Sequence, residues 1–349
     1  MNVFELTRAL VDIESISDNE VAVAANLYAY LEKIAARTGG VVERMDVEAD
    51  RFNVLATWGT PLVTLSTHMD TVPPFFASRE NDEFIWGRGA CDAKGIIAAM
   101  TAAAEKLLAE GVRNFGLLFV VGEERNSAGA AVAAKSPRGS RYLIDGEPTE
   151  NKLALASKGA LRFELVCQGR AAHSAYPELG ESAIEALLDS LDAIRKVALP
   201  KDALLGRSTA NIGTIAGGRA PNVIPDAARA EILVRLVGDP TLIRESYAAA
   251  VGPRTELKEV LCIPAIQFVR VEDLPSTVVS FTTDVPVFGK SWGEPLLIGP
   301  GTIHVAHTSE ERIAKKELLE AVEIYATIVK KLHARLQSES GARKGKSGS

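Results

Sequence analysis

NFGLLFVVGEE, residues 114–124, sets an unbroken apolar run from Phe115 to Val121 against the paired carboxylates Glu123 and Glu124. A run this short and this apolar reads as a strand buried on both faces, the kind found in parallel sheets covered by helices. Its neighbours agree. GIIAAMTAAAEKLLAEG (95–111) is an Ala- and Leu-built helix closing on Gly111, and RYLIDGEP (141–148) is another buried-type strand. Upstream, NVLATWG (53–59) and PLVTLST (61–67) are short apolar strands rich in β-branched residues. VFELTRALVDI (3–13) and NEVAVAANLYAYLEKIAARTG (19–39) have helical apolar spacing, the second ending at Gly39-Gly40. Strands alternating with helices imply an α/β fold with a mostly parallel sheet.

The rhythm changes near residue 160. ALRFELVCQG (160–169), ESAIEALLDSLDAIRKV (181–197), TANIGTIAGG (209–218), ARAEILVRLV (228–237), DPTLIRESYAAAV (239–251) and ELKEVLCIPAIQF (256–268) read strand, helix, strand, strand, helix, strand. That order is a ferredoxin-like α+β unit. The first pattern resumes after about 274 and ends in a long helix, so the smaller unit is an insertion. We expect one discontinuous domain over 1–160 and 271–337, an inserted domain over 161–270, and a polar, Gly/Ser-rich disordered tail over 338–349.

Composition limits the function. A chain of 349 residues suits two domains. A net charge of −6 argues against nucleic acid, whose phosphates need a basic surface. Three scattered cysteines, Cys91, Cys167 and Cys262, do not make a disulfide framework and suit a reducing cytoplasm. The N-terminus lacks the pattern of a signal peptide, and no apolar stretch approaches the ~20 residues that span a bilayer. A cytoplasmic protein with no membrane partner is expected.

Residues able to do chemistry follow the strands. His68 and Asp70 follow PLVTLST, Asp92 lies in WGRGACDAKG, Glu123-Glu124 end the opening strand, Glu147 ends RYLIDGEP, and His307 follows LLIGPGTIHVAH. In an open parallel sheet, ligands gather beyond the carboxyl ends of the strands. Each residue alone has a plainer reading: a histidine hydrogen-bonded locally, a solvated Glu pair, an aspartate capping a helix. Two imidazoles and several carboxylates at one sheet edge suit zinc or a similar divalent ion, with Asp70 orienting the His68 ring.

Seven motifs occur in order: THMDTVP, WGRGACDAKG, VVGEERNSAG, IDGEPT, AAHSAYPELGESAIEAL, GGRAPNVIPDAARAEILVR and GPGTIHVAH. Together they resemble the metal-dependent M20 peptidase/deacetylase family, which includes acetylornithine deacetylase, succinyl-diaminopimelate desuccinylase, aminoacylase-1 and glutamate carboxypeptidases. The resemblance implies two Zn2+, replaceable by Co2+, bridged by Asp92. His68 and Glu147 would complete one ion's ligands, and Glu124 and His307 the other's, with His304 as the competing last ligand. It makes Glu123 the general base and the inserted domain a lid that pairs two copies into a homodimer. There His173 would polarise the scissile carbonyl, often in the partner's site, while Asn222 and Arg235 would hold substrate oxygen and carboxylate. A salt bridge within the lid sheet is the plainer use of Arg235. A cis peptide at Asp92–Ala93 is also implied, although family members often carry Asp or Asn where this chain has Ala93.

The implied reaction is hydrolysis of the amide of an N-acyl amino acid, most like acetylornithine deacetylase. The alternatives are a carboxypeptidase or dipeptidase acting on short peptides, and a non-catalytic member that binds a metabolite or peptide.

Overall fold

The computed structural model describes residues 1–346, and the chain divides into two compact units. The first comprises residues 1–155, 268–277 and 283 onward; the second comprises 156–267 and 278–282. Among the described residues no helix is long and apolar enough to cross a membrane.

The first unit is built on a six-stranded sheet. Its order is Val41–Glu48, Arg51–Trp58, Phe115–Val120, Val63–His68, Tyr142–Asp145, Glu294–Leu297. The last four strands run parallel to one another, and the first two form an antiparallel edge hairpin. Val63–His68, Phe115–Val120 and Tyr142–Asp145 are buried at every residue, which is why none of them alternates apolar with exposed polar positions; Phe115–Val120 is apolar throughout, while Val63–His68 also buries Thr64, Ser66 and Thr67. Val41–Glu48 escaped the sequence reading. VVERMDVE is charged and has only Met45 fully buried, as suits an edge strand, and Asp50 turns it at a positive φ.

Helix Lys94–Ala109 is buried along most of its length and packs against the final helix. The helix also lies close to the end of strand Tyr142–Asp145, where a Cβ at Gly146 would lie 2.5 Å from both Ile96 and Met100. The final helix spans Lys315–Lys346. It therefore runs past residue 337, where the polar composition led us to end the fold, and 347–349 lie outside the described residues. The Asp92–Ala93 peptide is cis, as is Pro73–Pro74.

The second unit is a four-stranded antiparallel sheet in the order Thr209–Gly217, Ala227–Leu236, Gly159–Gln168, Thr255–Ile263. Helices Ala183–Arg195 and Thr241–Ala250 supply Leu187, Leu191, Ile243 and Tyr247 to its core, against Leu161, Phe163, Ile232 and Val234. This is the ferredoxin-like order. Val278–Thr282 also belongs here, although the sequence places 271–337 wholly in the other domain. The Lys158 N–H donates to the Val279 carbonyl at 3.1 Å, a pairing too short to leave a sequence signal.

Candidate active site

Parallel strands bring their carboxyl ends to one edge of the first unit. His68 is level with Val120, and Ser66 with Asp145, so Glu123, Glu124 and Glu147 follow within four residues of that edge. After Val120 the chain turns sharply at Gly122, whose φ is +78°, and the Asn126 and Ser127 N–H groups donate back to the Gly122 carbonyl.

Three donors come together. One ligand atom from each of His68, Asp92 and Glu124 lies within 4.8 Å of the others. His68 Nε2 is 2.9 Å from Asp92 Oδ1. His307 Nε2 is 2.9 Å from Glu124 Oε1 and 3.4 Å from Asp92 Oδ2, so Asp92 lies between the two imidazoles. His304 is exposed and makes no side-chain hydrogen bond among the described residues; His307 is the histidine that meets the carboxylates. Glu147 is buried and stands outside the three-donor group, near enough for the charges of Asp92 and Glu123 to act on it.

Asp70 does more than orient His68. The nearest acceptor to His68 Nδ1 is the backbone carbonyl of Asp70, at 3.0 Å, with the carboxylate Oδ1 at 3.5 Å. The carboxylate instead accepts the N–H of Glu123 on Oδ1 (3.0 Å) and that of Glu124 on Oδ2 (3.1 Å). Ser17, which sequence reading missed, donates its hydroxyl to Oδ2 at 2.7 Å.

The electrostatics are those of crowded acids. Burial would raise the Asp92 carboxyl, but hydrogen bonds from His307 and His68 hold it well below the usual range. Burial pushes Glu123 well up, and Asp284, Glu124 and Asp92 add to the shift. Glu147 is likewise raised well above its ordinary value by burial and by Asp92 and Glu123. Burial also raises Glu124, against the hydrogen bond from His307. Hydrogen bonds donated to the carboxylates of Asp92 and Glu124 take His307 up to about 10. His68 is raised well above its ordinary value, because Asp70 and Asp92 outweigh burial. Nearby, Asp145 and Asp284 are buried with unpartnered oxygens, and burial raises each to about 7.

Among the described residues, the only basic side chains paired with the carboxyls of Asp70, Asp92, Glu123, Glu124 and Glu147 are thus the imidazoles of His68 and His307. An excess of buried negative charge with imidazole donors is a set that divalent cations satisfy.

The remaining predicted residues belong to the second unit. The Ala175 N–H donates to His173 Nδ1 at 3.1 Å, which puts the proton of the neutral ring on Nε2. His173 bridges Val223, and Ser174 N–H donates to the Asn222 carbonyl, so His173 and Asn222 share one loop cluster. Arg235 is elsewhere. It pairs with Ala160 and Thr209, at the far end of the strand from Ala228, which pairs with Cys167. Seven residues of strand separate those ends, ~23 Å at about 3.3 Å per residue. Arg235 is partly buried with no hydrogen bond or ion pair among the described residues, so the lid-sheet salt bridge is not formed.

Residues 64–331 match the model of peptidase family M20/M25/M40. The chain is 38% identical to a peptidase M20 domain-containing protein of Schizosaccharomyces pombe, covering 94% of this chain and 84% of that one. It is 36% identical to a probable carboxypeptidase of Aspergillus niger, over 92% and 88% of the two chains. In fold it is similar to the crystal structure of aminopeptidase PepT from Bacillus cereus, with a TM-score of 0.77 at 20% identity, covering 95% of this chain and 98% of that one.

Proposed function

The chain belongs to peptidase family M20/M25/M40, a family of metal-dependent hydrolases acting on C–N bonds, and on that premise we propose that it is a carboxypeptidase or dipeptidase. Its substrate is a short peptide whose scissile amide precedes a residue with a free carboxylate. The similarity to a probable carboxypeptidase favours this reading over the acetylornithine deacetylase suggested by the motifs. The observation that carries it is the meeting of His68, Asp92 and Glu124 beside Glu123, since a protein that only bound its ligand would not need the spare half-buried carboxylate.

In this reading two divalent ions, zinc or cobalt, would be held by Asp92 together with His68 and Glu147 for one and Glu124 and His307 for the other. Such ions supply Lewis acidity and ease the ionisation of water. Glu123 takes the proton of the attacking water and returns it to the leaving nitrogen; its raised proton affinity suits both steps. His173 donates its Nε2–H to the carbonyl oxygen as negative charge develops there, with Asn222 beside it. Arg235 receives the substrate carboxylate on its planar fork, and its lack of a partner leaves it available.

His173 and Arg235 lie too far apart within one second unit to hold one small substrate. We therefore assign the chain to a homodimer in which His173 reaches the partner's substrate. The exposed edge strand Thr209–Gly217 supports this, because a second copy could pair with it. Three free cysteines suit a reducing cytoplasm.

The test is a hydrolysis panel of dipeptides, their C-terminal amides and N-acetyl amino acids, with and without zinc or cobalt. Metal-dependent cleavage of dipeptides and not of their amides is expected. Turnover of N-acetylornithine alone would restore the deacetylase reading.

A further inference from the structure

Glu311 lies outside every motif from which the site was read, yet its side chain is buried against the loop that carries Asp92. Oε1 accepts three backbone N–H groups: Gly89 at 2.9 Å, Cys91 at 3.2 Å and Asp92 at 3.1 Å. Oε2 accepts Arg88 Nη1 at 2.5 Å. Arg88 is also buried, and its Nε donates to the Pro74 carbonyl at 3.2 Å. The Gly87 N–H donates to the backbone carbonyl of Glu311 at 3.2 Å.

These bonds have a common consequence. The loop between Trp86 and the helix starting at Lys94 has no sheet partner for its buried N–H groups, and buried amides must be satisfied. Neutralising Arg88 would occupy one oxygen of Glu311; the other gathers three amides, the last being that of Asp92. With its backbone held there, Asp92 extends its carboxylate to His68 and His307.

We infer that Glu311 is a positioning residue for the metal centre, the anchor on which the Arg88–Asp92 loop is wound so that Asp92 stands between His68 and His307. The inference rests on the reading that these residues hold metal.

The experiment is a Co2+ titration of the metal-free full chain, followed by visible absorption, on wild type, Glu311→Ala, Glu311→Gln and Leu27→Ala. Leu27 is a core residue of the same unit on helix Val21–Thr38, so its truncation lowers stability without touching the loop. Glu311→Ala should weaken Co2+ binding ~10–100-fold, the usual cost of losing a group that orients a ligand, and should alter the Co2+ absorption bands. Glu311→Gln keeps a carbonyl oxygen for the amides and should fall between. Leu27→Ala should melt earlier yet keep wild-type affinity and spectrum. Wild-type affinity and spectrum in both Glu311 variants would overturn the inference, as would a loss in Leu27→Ala that matches its loss of stability. If Glu311→Ala does not fold, Glu311→Gln is read against the same control, and wild-type behaviour there overturns the inference. Failure of the wild-type chain to bind Co2+ would instead overturn the metal reading beneath it.

Discussion

Asp70 and Glu124 are joined by a hydrogen bond of 3.1 Å from the Glu124 N–H to Asp70 Oδ2, twinned by the bond from Glu123 to Oδ1. One carboxylate two residues after His68 therefore sets the turn from which both glutamates project. Asp70→Asn would present an amide NH2 to one of those N–H groups and leave it without an acceptor. Metal affinity should fall ~10–100-fold with the fold retained. Competition with a chelator measures it, and wild-type affinity in Asp70→Asn would remove Asp70 from this role.

The metal-free protein should lose stability as the pH rises from about 4 to about 7. Asp145 and Asp284 are raised to about 7 in the fold, and Glu123 and Glu147 well above their ordinary values. Carboxyls whose folded pKa exceeds the unfolded value of ~4 hold more protons when folded, so their contribution is full below pH ~4 and is lost through pH ~7. The melting temperature without metal should drop by several degrees between pH 5 and 7.5, and zinc should reduce the drop. A melting temperature that rises over this window would contradict the burial described.

Arg235→Met should lower kcat/KM ~10–100-fold on substrates with a free carboxylate, as expected for a charged hydrogen bond of ~1.5–3 kcal/mol. C-terminally amidated substrates, poor from the start, should be unaffected. Equal losses on both would make Arg235 a structural residue.

The chain should sediment as a dimer at micromolar concentration, and Ile215→Lys on the exposed edge strand should shift it toward monomer. Mixing His173→Ala with Arg235→Met, each weak alone, should recover activity, because a mixed dimer contains one site with both residues intact. A wild-type monomer with full activity would refute the arrangement.

Much of this was legible because burial on both faces writes itself into a strand as an unbroken apolar run. Phe115–Val120 and Tyr142–Asp145 were found on that ground, Val63–His68 from its β-branched residues, and the histidine and carboxylates from their places at the strand ends. The edge strand Val41–Glu48 was not, since a charged, exposed strand resembles a loop. Ser17, Arg88 and Glu311 were also missed. Their partners are backbone amides or residues up to 223 positions away, and no local periodicity records such bonds. In HTSEERI, Glu311 looks like one more solvated charge, although it is fully buried. Asp145 lay inside a quoted motif, but its place beside Ser66 emerges only from the register.

The division of labour between the adjacent glutamates is the centre of this account, and paired measurements of metal content and turnover on Glu123→Ala and Glu124→Ala test it most directly. Glu123→Ala should keep its metal and lose turnover by ~10²–10⁴-fold, the range of a general acid–base group. Glu124→Ala should be depleted of metal, with activity partly restored by excess zinc or cobalt. Full metal content in Glu124→Ala together with depletion in Glu123→Ala would contradict the assignment and exchange the two roles.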